Sequence, residues 1–221
     1  MFMYFVLFAC NPSFSQRHNP SFVEGTSSPQ INDALMSPTV KAAALQSYEY
    51  AVQNDITKST VMTIIDFQLP STKKRLWVVD LESGSTLFHE QVTHGKNSDK
   101  DNDNYVDKNG LSNKNKSKKS SIGVFLTGET YYSKRFNGTS LRLDGLEEGF
   151  NDKARSRAIV MHPAHYANVE EGQRAGLSWG CPAIDPDVSD ALIEAIHGGS
   201  LLLQYYPDEK WLKESEFVKG R

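Results

Sequence analysis

The 221-residue sequence is short of cysteine, holding only Cys10 and Cys181. So few cysteines exclude a disulfide framework as the source of stability. No apolar run approaches the roughly 20 residues that a membrane-crossing helix needs, which excludes an integral helical membrane protein. Neither sign of charge dominates: 24 Lys and Arg stand against 27 Asp and Glu, a net charge of -3, and the two signs are interspersed. The chain therefore lacks the basic footprint of a nucleic-acid-binding protein, and nucleic acid is excluded as a partner. It also lacks an internal repeat, so a solenoid or propeller is excluded.

What remains is ordinary globular material, 38% hydrophobic and 23% charged, in a length that suits one domain with an N-terminal extension. Residues 1–10 form an apolar stretch of signal-peptide length, although no Lys or Arg precedes it. They read as an export signal. The end of this stretch, Leu7-Phe8-Ala9-Cys10, partly resembles a lipoprotein signal, in which Cys10 would be lipidated after cleavage. Residues 11–36, rich in Ser, Pro, Asn and Gln, read as a flexible tether. Residues 37–221 then form the domain, in which Cys181 is the one thiol. A lone cysteine in an exported domain is either a small buried apolar group or a thiol retained for its reactivity.

Ser37 followed by Pro38, with Val40, Ala44, Tyr48 and Val52 at helical spacing, predicts a helix running to Asn54. Beyond Thr60 the period changes to that of strands, expected over residues 61–67, 75–80, 86–92, 122–127, 141–143, 158–162 and 201–206. Glu82-Ser83-Gly84-Ser85 marks a hairpin turn. Asp185 and Pro186 open a second helix with an apolar stripe of Val188, Ala191, Leu192, Ala195 and Ile196, closed by His197-Gly198-Gly199. The fold class expected is mainly β, a β-rich α+β domain with a few peripheral helices. Residues 96–121, dominated by Lys, Asn, Asp and Ser, read as a solvated loop. Asp99, Asp101, Asp103 and Asp107 do not make it an EF-hand, because Asn104 and Gly110 stand where that loop needs Gly and Glu.

The chemistry concentrates in R-A-I-V-M-H-P-A-H-Y, residues 157–166, and G-L-S-W-G-C-P-A-I, residues 176–184. His162 ends an apolar strand, and Cys181 sits in a glycine-bearing turn ahead of a helix. A thiol is mostly protonated at neutral pH, so cysteine catalysis needs a nearby base, and His162 can supply one. Gly180 lets backbone approach a substrate closely, and the N–H groups of Gly180 and Cys181 are candidates for an oxyanion hole. Ser178 can hydrogen-bond substrate or brace the turn. A zinc site built from His162, His165 and Cys181 is the competing chemistry, but no fourth ligand stands at a typical spacing. His165 otherwise reads as local structure.

These two segments resemble the signature of murein L,D-transpeptidases of the YkuD type: a histidine, fourteen to seventeen residues, then Ser or Thr, a variable residue, Gly and Cys. Here fifteen residues separate His162 from Ser178-Trp179-Gly180-Cys181. The likeness extends to K-R-L-W-V-V-D-L from Lys74, V-T-H-G-K from Val92, S-S-I-G-V-F from Ser120 and S-L-R-L-D-G-L-E from Ser140. It resembles the branch whose turn reads S-x-G-C-P-A.

The resemblance implies an L,D-transpeptidase-like β-sandwich or barrel, with Cys181 as nucleophile, His162 as base, and the Pro163 carbonyl orienting the imidazole. It implies a peptidoglycan stem peptide as substrate, acylation by carbapenems, no cofactor or metal, and a periplasmic or cell-envelope location, lipid-anchored through Cys10 if the lipoprotein reading holds. Trp179 and Ala183 depart from the better-studied branch, which leaves open whether an amine (transpeptidase) or water (L,D-carboxypeptidase) receives the acyl group. For substrate carboxylates the candidates are Arg174 first, seven positions before Cys181, then Arg142 and Arg157. Tyr166 and Trp179 are candidate cleft walls. A noncatalytic wall-binding module is the remaining alternative, and it has no need of either Cys181 or His162.

Overall fold

A computed structural model describes residues 28–170, 173 and 175–219. The organising element is β8 (Leu201–Tyr205), which pairs in parallel with β1 (Val61–Asp66) and antiparallel with β4 (Gly123–Ser133). Alternation sends Leu201, Leu203 and Tyr205 to one core and Leu202 to the other. A strand buried on both faces reads as a continuous apolar run, which is what 201–203 shows.

β2 (Leu76–Asp80), β3 (Ser85–Glu90), β5 (Gly138–Gly145), β6 (Val160–Pro163) and β7 (Ala183–Ile184) complete one sheet in the order β3-β2-β1-β8-β4-β5-β6-β7. The first core gathers Met62, Ile64, Trp77 and Val79 from the sheet under α1 (Pro38–Gln53) and α3 (Glu209–Glu214). The second gathers Ile65, Val78, Phe125, Leu141 and Met161 against α2 (Pro186–Ile196), and Cys181 borders it. At about 1.5–3 kcal/mol for each large side chain taken out of water, these two cores dominate the stabilising side.

The sheet nearly closes. Past β3, at one edge, Thr93 N–H donates to the Ala183 carbonyl (3.0 Å), Ser178 N–H to His94 (3.0 Å) and Lys96 N–H to Ser178 (2.8 Å). Gly95 and Ser178 form a parallel bridge. The segment leaving one edge strand thus lies against the turn that leads into the other, and the closure falls at the cysteine turn.

The mainly β expectation holds, as do both helix starts: Ser37 Oγ accepts from Val40 N–H, and Asp185 accepts from Asp187 N–H. Three details differ. The buried face of α1 is Val40, Ala43, Ala44, Ser47 and Ala51, while Val52 is exposed; Ser47 enters the face because its hydroxyl donates to Ala43 O at 2.7 Å. The domain is packed well before residue 37, since Gln30 N–H donates to Leu81 O (2.9 Å) and Ile31 and Met36 are buried. β4 runs six residues past Thr127, forming a hairpin with β5. The export signal and most of the tether lie outside the described residues. Among the described residues, no helix is long and apolar enough to cross a membrane.

Candidate active site

His162 belongs to β6, which pairs in parallel with β7 at Ala183, two residues past the cysteine. Its ring is buried and stacks on Phe136, with centroids 3.5 Å apart and planes 10° from parallel. Nδ1 lies 2.9 Å from the Pro163 carbonyl. A carbonyl only accepts, so Nδ1 carries the proton and Nε2 keeps its lone pair. Burial holds the imidazole below the usual histidine range, and the Arg135 charge adds to this, while the Pro163 carbonyl opposes it. The result is a fixed, neutral base.

Cys181 is also buried, with Sγ resting 3.7 Å from the Ala158 carbonyl. Burial pushes its thiol up, and the Val160 backbone and the charges of Arg135 and Arg157 pull it back only in part. The resting pair is therefore thiol and neutral imidazole, and the proton has to move as substrate is attacked.

The turn around the thiol is braced by Ser178. Its hydroxyl lies 2.6 Å from the Cys181 carbonyl and 3.2 Å from that of His94. It has one proton, which the shorter contact takes, and it accepts the Gly180 N–H at 3.0 Å. Of the two roles expected of Ser178, bracing the turn is the one these bonds perform, and the expected Gly180 donor is already taken up. Ser178 is saturated within the turn and has no proton to offer a substrate, and the Gly180 N–H is already satisfied, so it does not stand free for an oxyanion. Gly180 itself is required by sterics: its φ is +118°, and a Cβ there would meet the Lys119 carbonyl at 2.5 Å.

Cys181, His162, Ser178, Trp179 and Tyr166 line one cleft of about 410 Å³. Gly176 allows the Tyr166 ring to lie on the backbone, since a Cβ there would meet that ring at 2.4–2.5 Å. Trp179 is 59% exposed at the rim, covered by Lys118 Nζ at 4.6 Å and Arg135 Cζ at 5.4 Å from its centroid.

The arginines divide differently from expectation. Arg142 is not in the cleft lining; its Nε pairs with Glu129 at 3.0 Å, and its guanidinium covers Tyr131. Arg157 lines the cleft, but its guanidinium is held by Ser112 O, Ser121 Oγ, Ser117 Oγ and Lys119 O, so it pins residues 112–121 instead of waiting for a ligand. Arg174 lies outside the described residues. Arg135, which sequence reasoning missed, lines the cleft from the β4–β5 turn. The available signal was Asn137-Gly138, a hairpin pair that would have placed R-F at a turn between two strands. His165 is exposed at the start of a single 3-10 turn. Among the described residues, no group of three or more His, Cys, Asp or Glu side chains is placed to hold a metal ion.

Beneath the turn, Arg75 is fully buried and donates to Val92 O, Leu69 O and His94 Nδ1. Burial lowers its guanidinium to about 9, and burial with the Arg75 charge lowers His94 to about 3. His94 is thus neutral, and its ring accepts from Arg75 while its backbone carbonyl accepts the Ser178 N–H.

A nearly closed β sheet brings one thiol and one oriented imidazole to a shared cleft, the pairing that cysteine-dependent acyl transfer requires. More specifically, the chain belongs to the L,D-transpeptidase catalytic domain family, which matches residues 32–205. Solved structures to which it is similar include an L,D-transpeptidase from Mycobacterium smegmatis (13% identity, 67% of this chain and 59% of that one, TM-score 0.41). Another is an L,D-transpeptidase from Stackebrandtia nassauensis (17% identity, 74% and 66%, TM-score 0.38). A third is the LD transpeptidase LdtMt1 in complex with imipenem (14% identity, 66% and 59%, TM-score 0.39). The chain spans about three fifths of the length of the first of these. No curated protein sequence matches it.

Proposed function

We propose that this protein is a peptidoglycan L,D-transpeptidase that forms a thioester between Cys181 and a tetrapeptide stem. One observation carries the reading: the Pro163 carbonyl fixes the Nδ1–H tautomer of His162, leaving Nε2 as the base in the cleft it shares with Cys181. His162 Nε2 takes the thiol proton as sulfur attacks the carbonyl joining the L-centred third residue to the terminal D-residue. With Gly180 N–H held by Ser178, the Cys181 N–H is the remaining donor of the expected oxyanion pair. His162 returns the proton to the departing amine, D-alanine leaves, and an amine from a second stem resolves the thioester. Tyr166 and Trp179 bound the substrate, and the protein works outside the cytoplasm, anchored through Cys10 if that residue is lipidated.

The test is direct. Incubated with disaccharide-tetrapeptide, the protein should release D-alanine, and Cys181→Ala should abolish the release. Imipenem, which occupies one similar structure, should add one covalent mass to the parent protein and none to the variant. D-Alanine release that survives Cys181→Ala would defeat the mechanism.

A further inference from the structure

The Pro163 carbonyl places the proton of His162, but a single hydrogen bond leaves the ring free to pivot about it and puts no anion beside the charge it acquires. The group that covers its face is Phe136, whose ring lies over the imidazole with centroids 3.5 Å apart and planes 10° from parallel. That separation leaves almost no offset between the rings. Two neutral aromatic rings prefer an offset or edge-on arrangement, because their electron-rich faces repel. A cation centred over an aromatic face is attracted by the same charge distribution. The geometry therefore suits imidazolium better than imidazole.

The turn between β4 and β5 that carries Phe136 is shaped for this contact. Asn137 has a φ of 51°, in the left-handed region that asparagine tolerates better than most residues, and its Oδ1 accepts the Tyr132 hydroxyl at 2.8 Å. Gly138, which pairs with Ser133, leaves the space that Pro163 fills: a Cβ there would meet Pro163 Cγ at 2.7 Å. The hairpin is thereby seated on the residue whose carbonyl orients His162.

We infer that Phe136 is a positioning residue for the base, holding the imidazole plane and stabilising the imidazolium that forms when His162 takes the thiol proton. The inference rests on the acyl-transfer reading above. As sulfur attacks, the proton passes from Sγ to Nε2, and the ring carries a positive charge until it protonates the departing amine. Pro163 supplies only a neutral carbonyl, so the Phe136 face adds a contact that is stronger in the transition state than in the resting pair. The other ionisable groups of the cleft are Arg135, Arg157, Tyr166 and Cys181. Arg157 is held by residues 112–121, and the Arg135 charge opposes protonation of His162.

The experiment measures the His162 titration midpoint by NMR of histidine-labelled protein, assigned with His162→Asn, and kcat for D-alanine release from disaccharide-tetrapeptide. Both are read in Phe136→Leu and Phe136→Tyr, each also in an Arg135→Gln background that removes the neighbouring cation. Losing the ring face destabilises imidazolium, so in Phe136→Leu the midpoint should fall and kcat should drop about fivefold with KM little changed. Phe136→Tyr keeps the face and should keep both. A purely structural role gives the opposite sign, since a looser site admits water and relieves the burial that lowers the imidazole. A midpoint unchanged or raised in Phe136→Leu overturns the inference, and so does an unaltered kcat in an active enzyme. No D-alanine from the parent, with the midpoint lowered in Phe136→Leu, would instead defeat the proposed function and leave the role of the stack standing.

Discussion

Ser178→Ala isolates the bracing of the cysteine turn. The substitution removes a hydroxyl that donates to the Cys181 carbonyl at 2.6 Å and accepts the Gly180 N–H at 3.0 Å. The abandoned groups are buried: Gly180 N–H would be left without a partner, and the Cys181 carbonyl would keep only Thr93 Oγ1 at 3.5 Å. An orphaned buried donor costs about 1–3 kcal/mol and a lost neutral hydrogen bond about 1 kcal/mol, so we expect roughly 2–3 kcal/mol of destabilisation. In a domain of this size that lowers Tm by about 5–10 °C, measurable by thermal unfolding. D-Alanine release should fall by more than about tenfold, because a turn relaxed by a fraction of an ångström no longer presents sulfur to the carbonyl. A variant melting within about 1 °C of the parent would refute the bracing role and return Ser178 to direct contact with substrate.

Gly180→Ala should cost more than the serine variant, since it adds a Cβ 2.5 Å from Lys119 O at a φ of +118°; the urea midpoint will measure this, and a neutral result would contradict the geometry. Arg157→Ala strips residues 112–121 of four hydrogen bonds and should raise their amide exchange rates while leaving β8 protected. Iodoacetamide alkylation of Cys181 should go on accelerating beyond pH 9, the ordinary thiol value above which burial lifts it. The His162-dependent acid limb of D-alanine release should lie below pH 6.5, because burial lowers the imidazole; an alkylation plateau reached below pH 7 would mean a preformed thiolate. Arg75→Met removes a buried cation together with its bonds to Val92, Leu69 and His94, and should cost about 3–5 kcal/mol by denaturant unfolding.

Local physics was legible from sequence, and closure was not. Ser37-Pro38 and Asp185-Pro186 announce helix starts because a cap is satisfied within three residues. The 201–203 leucines announce a doubly buried strand because period and burial are one signal. By contrast, the pairing of 93–96 with the cysteine turn joins residues more than 80 positions apart, and nothing within V-T-H-G-K states its partner. The misjudged donors have a local cause, a hydrogen bond between residues two positions apart. Ser178 and Gly180 have the right types for substrate contact, but they satisfy each other, and only the turn's conformation reveals that. Arg142 reads as a free cation until Glu129 is placed beside it.

The long polar segment shows why composition alone misleads about order. Its acidic half bonds its own backbone: Asp99 accepts the N–H groups of Asp103 and Asn104, Asp103 accepts that of Tyr105, and Asp107 accepts that of Lys100. These carboxylates cap their own backbone, as Asp does in turns generally. Buried Ser98 and Ser120 then tie the segment to the floor of the site: Ser120 N–H donates to Ser98 Oγ, and Gly95 N–H to Ser120 Oγ. With Asp99, Asp103 and Asp107 committed to the backbone and Arg157 committed to residues 112–121, Lys119 turns to the Asn109 carbonyl. The loop's order rests on these bonds together with buried Val106, which joins the second core, and Leu111, which packs against both. Substituting Asp99→Asn keeps the capping oxygen but halves its acceptor capacity, and should loosen Lys116 and Lys118 without touching either. Amide exchange over residues 112–121 should then accelerate, whereas an unchanged rate would separate the order of the acidic half from that of the basic half.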